Sequence, residues 1–209
     1  MSKLKLRLIL SLYAIVMIIF ARYAYITEAY TWLWDCVVTF LIGIFVYKLK
    51  NKLRLTPTLF FILMSALALH CAGVYGLYTK AFFGLDFDHY THFIGSFAVS
   101  MIFVNWLLYY KSLKYKLGVV CFVSIFITLG LSAIHELIEF LGYFYLGPGE
   151  GFLFAGAGDG LPGVSGESLY TAADIGVSGT YSNALIDILY NAIGATAGCI
   201  VMGIKKLFS

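Results

Sequence analysis

The sequence predicts an all-α polytopic membrane protein: a bundle of six transmembrane helices with both termini cytoplasmic. Two observations carry this. Of 209 residues, 61% are hydrophobic and only 12% are charged, against about 25% charged in soluble domains. The basic residues also fall in clusters that alternate with the apolar runs. A spanning helix needs about 20 mainly apolar residues. Six segments meet that length approximately: Leu4–Tyr25, Leu33–Leu49, Pro57–Tyr78, His89–Tyr110, Leu117–Tyr143 and Asn183–Ile204.

The first run follows Lys3, Lys5 and Arg7. It is too long for the apolar core of a signal peptide and lacks a small-residue cleavage site, so it reads as an uncleaved first span. The second is the shortest and leads into Lys48, Lys50, Lys52 and Arg54. The third carries His70 in its outer half. The fourth follows Asp86 and Asp88 and ends before Lys111, Lys114 and Lys116. The fifth is long enough to tilt or to project beyond the bilayer. The sixth holds Gly194 and Gly198, a small-xxx-small face that reads as packing within the bundle, and precedes Lys205 and Lys206.

Six spans place twelve of the 14 basic residues on one side. The positive-inside rule makes that side cytoplasmic, and an odd number of spans would break the alternation. The net charge of +3 is therefore carried by juxtamembrane anchors and not by a nucleic-acid surface. Cys36, Cys71, Cys121 and Cys199 are scattered with no CxxC spacing, and read as small core residues, not a disulfide framework.

The chain shows one transmembrane domain over 1–209 and no clear repeat. One connection is unusual: 144–182 on the outer side contains ten of the 21 glycines, no lysine or arginine, and Glu150, Asp159, Glu167 and Asp174. Apolar residues such as Phe152, Phe154 and Leu161 are interspersed, which favours a lid or re-entrant segment over a solvated linker. Tyr25, Tyr30, Trp32, Trp34, Tyr75 and Tyr78 are expected in an aromatic belt at the outer interface.

The functional signal is a layer of ionisable side chains inside these apolar runs. His135, Glu136 and Glu139 lie in the last turns of span five, Asp88 and His92 at the start of span four, Asp187 and Asn191 at the start of span six, and His70 in span three. Span direction puts them all in the outer half of the bilayer, within roughly 5–15 Å of its boundary. An ionised carboxylate near the bilayer centre costs at least about 2.5–3.5 kcal/mol, so such residues face the protein interior and mark functional sites. Capping explains an acid at a helix start, but Glu136 and Glu139 lie toward a helix end, where the dipole disfavours them. Asp88 and His92, His135 and Glu139, and Asp187 and Asn191 are i,i+4 pairs; each can present two polar groups on one face.

Two chemistries fit. Asp88, His92, Glu136, Glu139 and Asp187 form a mixed N/O set suited to a divalent metal: zinc, iron or manganese. Glu136, Glu139 and His92 could alternatively transfer protons as the catalytic groups, since two close carboxylates keep one of the pair protonated. His70, His135 and Asn191 would support the site by hydrogen bonding. Arg22 and Lys80 are the only basic residues on the outer side. Snorkelling accounts for both; recognition of a phosphate head group is the functional reading.

The string Asp88-x-x-x-His92-Phe93, then Glu136-x-x-Glu139, then Asp187-x-x-x-Asn191-x-x-Gly194-x-x-x-Gly198 resembles the YjdF-type family of predicted inner-membrane proteins, and is similar to the wider VanZ-like membrane proteins. The resemblance covers roughly Asp86 to Gly203. The 144–182 loop is longer than in that pattern, and Ala184 and Leu185 stand where aromatic residues are expected, so the antibiotic resistance associated with VanZ-like members is not carried over. Asp86-Phe87-Asp88-His89 is also similar to motifs of membrane metal-dependent hydrolases, but lacks their arginine.

The expected function is a metal- or acid/base-dependent site acting on a lipid or lipid-linked substrate from within the cell membrane. The alternatives are a non-catalytic protein that binds or transports a small ligand or ion, and a structural membrane protein whose polar layer only holds helices together.

Overall fold

The computed structural model describes residues 2–109, 116–146 and 177–207. Six α-helices occur among the described residues: α1 Ser2–Ile26, α2 Tyr30–Lys48, α3 Pro57–Cys71, α4 Phe87–Tyr109, α5 Leu117–Leu146 and α6 Val177–Leu207. Five stretches among the described residues are long and apolar enough to cross a membrane: Lys3–Ile26, Pro57–Tyr75, Phe87–Tyr109, Leu117–Ile138 and Ala184–Lys206. Helix occupies both ends of the connection expected over 144–182. The lid expected there falls on 147–176, outside the described residues.

The helices turn their apolar surface outward. Leu4, Leu8, Leu12, Ile15, Ile18 and Ile19 of α1 are exposed, as are Phe122, Phe126, Leu131, Ile134 and Leu137 of α5. Contiguous apolar surface of this extent marks contact with lipid or another apolar partner. The opposite face of α5 is buried at every fourth residue: Val120, Ser124, Thr128, Ser132 and Glu136. That i,i+4 row is one side of a helix, so Glu136 belongs to a continuous inward-facing stripe of small and polar groups.

Close approach is written into particular glycines. A Cβ on Gly194 would overlap the Phe93 carbonyl, and one on Gly198 would overlap Ser100 Oγ and the Phe97 carbonyl. α4 and α6 accordingly form the most extensive helix pair, and the Gly194/Gly198 face packs inside the chain. Elsewhere, Tyr13 OH donates to the Thr39 carbonyl at 2.9 Å, tying α1 to α2. Asn105 Nδ2 of α4 donates to the Arg54 carbonyl at 2.8 Å, tying α4 to the α2–α3 turn. Thr56 caps α3, accepting from the Leu59 amide at 3.2 Å, with Pro57 in the first turn.

The third span was expected to run to Tyr78. Regular helix instead stops at Cys71 and tightens into 3₁₀ turns at Ala72–Tyr75 and Leu77–Thr79, separated by Gly76 at φ +71°. Gly76 supplies the left-handed turn, and Gly73 leaves room for the Tyr78 and Trp32 rings where a Cβ would stand. A two-stranded hairpin follows, β1 Ala81–Phe82 and β2 Leu85–Asp86, and leads directly into α4. Trp32 and Tyr78 correct the aromatic-belt expectation: they are buried with Ala24, Ala29, Val74 and Phe87 in a small core at this end of the bundle. Tyr25, Tyr30, Trp34 and Tyr75 are exposed.

Candidate functional site

The site is centred on one imidazole. His92 sits one turn into α4, and the helical repeat sets its ring beside Asp88, with His92 Nε2 3.2 Å from Asp88 Oδ1. The Thr91 hydroxyl lies 2.7 Å from the Asp88 backbone carbonyl and 3.2 Å from its Oδ1, which holds that carboxylate in place. Asp88 is thus turned toward His92 as well as standing in the first turn of its helix.

The neighbouring helices complete the surround. Asp187 of α6 places Oδ1 3.7 Å from His92 Nε2. Glu136 of α5 places Oε1 3.7 Å from His92 Nδ1. Asn191 lies one turn beyond Asp187 on the same face, with Nδ2 3.0 Å from His92 Nδ1. Its amide is further engaged: Ser96 Oγ donates to Asn191 Oδ1, and Asn191 Nδ2 donates to Ser132 Oγ. The direction of the Asn191–His92 contact follows the tautomer of the ring: the amide donates to Nδ1 only when Nδ1 carries no proton. The His135 ring lies 5.8 Å from that of His92 between centroids.

Charge is the central feature. Asp88, Glu136 and Asp187 are all buried around His92, and Asp187 is fully enclosed. Among the described residues no lysine or arginine is buried. Even with His135 counted beside His92, two imidazoles supply at most two positive charges against three carboxylates. Uncompensated charge in a low-dielectric interior is prohibitive, so protons or a bound cation must balance it. The atoms that could hold a cation are grouped: one ligand atom each from Asp88, His92 and Asp187, all within 4.8 Å of one another. A tetrahedral ion with bonds of about 2.1 Å separates its ligand atoms by roughly 3.4 Å. The 3.2 and 3.7 Å spacings from His92 Nε2 bracket that value.

Of the residues singled out from sequence, Asp88, His92, Glu136, Asp187, Asn191 and His135 therefore meet. Glu136 faces the ring nitrogen opposite to the one shared by the two aspartates. The side chain of Glu139 lies outside the described residues. Arg22 is exposed on α1 and Lys80 is exposed at the start of the hairpin. His89, next to Asp88, is stacked on Tyr190 at 4.3 Å and accepts the Asp86 amide at 3.3 Å.

His70 belongs to a different cluster. Its Nε2 lies 2.9 Å from Asp35 Oδ2 of α2 and its Nδ1 lies 2.8 Å from Tyr78 OH. The Trp32 ring packs against both His70 and Tyr78. Asp35 is buried and was not picked out from the sequence, although the signal was the one that found the others: an acid inside an apolar helix. Ser96 and Ser132 were also missed. Each stands one helical turn from a site residue, His92 and Glu136 respectively.

The family described as "predicted membrane protein (DUF2238)" matches residues 6–206. No curated protein and no solved structure matches the chain.

Proposed function

The chain belongs to the predicted membrane protein family DUF2238, and from that premise we propose that this multi-pass membrane protein holds a divalent metal ion on Asp88, His92 and Asp187, and acts there on a lipid or lipid-linked substrate. The observation that carries the reading is the charge imbalance at the site: three buried carboxylates, two imidazoles (His92 and His135) and no buried lysine or arginine among the described residues. A cation offsets that imbalance, and a one-nitrogen, two-oxygen set suits zinc, iron or manganese. Three protein ligands leave a coordination position for substrate or water, as in catalytic metal sites.

Each residue then has a task. Asp88 and Asp187 supply charge and oxygen ligands, and His92 supplies Nε2. Glu136 stands behind Nδ1, where it would accept the ring proton once Nε2 is engaged, an arrangement that orients a metal-binding histidine. Asn191, held by Ser96 and Ser132, packs beside the Nδ1 edge of the ring. Glu139 is a further ligand or proton-transfer candidate on the same helix. A bound divalent ion would supply Lewis-acid polarisation of an ester or phosphoester oxygen. We place the site in the outer half of the bilayer, with six spans (α2 included) and both termini cytoplasmic, on the distribution of basic clusters. The YjdF-type likeness is part of this reading; nothing is taken over from VanZ-like proteins.

The test is elemental analysis of detergent-purified protein beside Asp187→Asn. Near-stoichiometric divalent metal, lost from a still-folded variant, supports the reading and directs a screen of lipid ester and phosphoester turnover in vesicles. Metal-free wild type of full stability, purified without chelator, removes it and leaves protonated carboxyls as the charge balance.

A second reading has its own observation. Ser132, Thr128 and Ser124 continue inward from Glu136 along the buried face of α5, so polar groups do not end at the site. Such a stripe suits a protein that binds or conducts a small ion without turnover. Flux into vesicles reconstituted with the protein, absent with Glu136→Gln, would favour it.

A further inference from the structure

We propose that the β1–β2 hairpin is a lipid-interface anchor, with the Phe83 ring seated at the head group–acyl boundary of the membrane face where α3 ends and α4 begins. This stands apart from the His92 site and does not depend on its function.

Phe83 is placed against two ordinary preferences at once. It occupies the tip of the hairpin with φ +53°, followed by Gly84 at φ +81°. The left-handed region is disfavoured for a bulky side chain, and glycine or asparagine normally fills it. Its side chain is also completely exposed, at 102%. An aromatic ring held out by an unfavourable backbone and left in water has no physical rationale. The same ring in an apolar or interfacial medium has one.

The medium follows from the position. The two helices joined by this segment are apolar enough to cross a membrane over Pro57–Tyr75 and Phe87–Tyr109. The hairpin is folded down onto their ends. Lys80 N donates to the Leu77 carbonyl at 2.9 Å, and Phe87 N donates to the Lys80 carbonyl at 3.0 Å. Tyr90 OH of α4 donates to the Phe82 carbonyl at 2.6 Å, which fixes the hairpin's direction. Two-residue strands reach only about 7 Å, which matches the head-group region of roughly 5–7.5 Å on each side. The tip therefore stays within the interface. Phe82 and Leu85 are exposed beside Phe83, and Lys80 adds a cation suited to lipid phosphate.

The experiment places a fluorophore at the tip. Phe83→Trp is reconstituted in phosphatidylethanolamine/phosphatidylglycerol vesicles, with the wild type supplying the background of its three tryptophans. Leu85→Trp, on the same exposed tip, provides the reading if the first variant does not fold. We expect the added emission to be more than halved by acyl chains brominated near the head group, and to be little affected by aqueous iodide. Emission quenched by iodide and not by bromolipid would put the tip in water and overturn the proposal. Emission quenched by neither would mean that a protein partner or a second copy covers the tip, and would overturn it equally.

Discussion

Asp187 and His92 face each other across the α4–α6 interface, with Oδ1 3.7 Å from Nε2. They are ninety-five residues apart in sequence, on helices held together where Gly194 and Gly198 leave no space for a Cβ. The contact makes His92 a shared group of two helices, and the Glu136 carboxylate at Nδ1 adds a third.

The opposite placement of the acids around the ring separates their roles. Asp187→Asn removes a ligand and should abolish stoichiometric metal. Glu136→Gln leaves the ligand set intact and should weaken metal binding by about 10–100-fold, as loss of an orienting partner does. Competition with a chelator of known affinity, read by elemental mass spectrometry, distinguishes the two. Equal loss in both variants would place Glu136 among the ligands.

Gly194→Ala should destabilise the protein by about 1–3 kcal/mol, because the added methyl meets the Phe93 backbone carbonyl, which cannot rotate away. Gly198→Ala should act in the same direction. Gly95 and Gly130 have nothing within 4 Å of an added Cβ. Alanine there should be neutral or stabilising, by up to about 1 kcal/mol. Thermal unfolding of the four variants in one detergent checks the contrast.

His70→Leu should destabilise the protein by about 1–3 kcal/mol, since it removes a charge-balancing partner of the buried Asp35 carboxylate. Adding Asp35→Leu should recover part of that loss, because the charge leaves with its partner. Coupling measured by a double-mutant cycle in detergent tests this. Strict additivity of the two changes would show that the Asp35–His70 contact contributes little.

Topology gives a prediction from the basic clusters. A cysteine at Lys5, Lys50 or Lys205 should react with a membrane-impermeant maleimide only after permeabilisation. One at Lys80 should react in intact cells. The native cysteines are buried or half-buried, and so contribute little background. Labelling of Lys50→Cys on the side opposite to Lys5→Cys would mean that α2 does not cross.

Much of the site was legible in the sequence because an acid or histidine in an apolar helix is conspicuous wherever it ends up. Asp88, Glu136 and Asp187 stood out on that ground, and the i,i+4 spacing of Asp88 and His92 already implied their contact. Asp35 met the same criterion, but it lies near the start of the shortest run, where an acid passes for an end-of-span residue. By sequence His70 is expected to support the same site by hydrogen bonding; the structure gives it to Asp35 and Tyr78. The packing around the turn at Ala72 was not legible, because Trp32, which lies over Gly73, comes from another helix.

The sequence alone determined the apolar composition, the helices and the presence of ionisable groups among them, since each follows from local chain chemistry. It also showed where helices approach closely, through Gly194 and Gly198. The tertiary structure decided which groups meet. Rotation of each helix about its axis, and the order in which helices neighbour one another, put both aspartates on Nε2 of His92, Glu136 on Nδ1, and His70 in a separate cluster. Those variables are set by side-chain packing between distant segments, which no spacing along one helix contains.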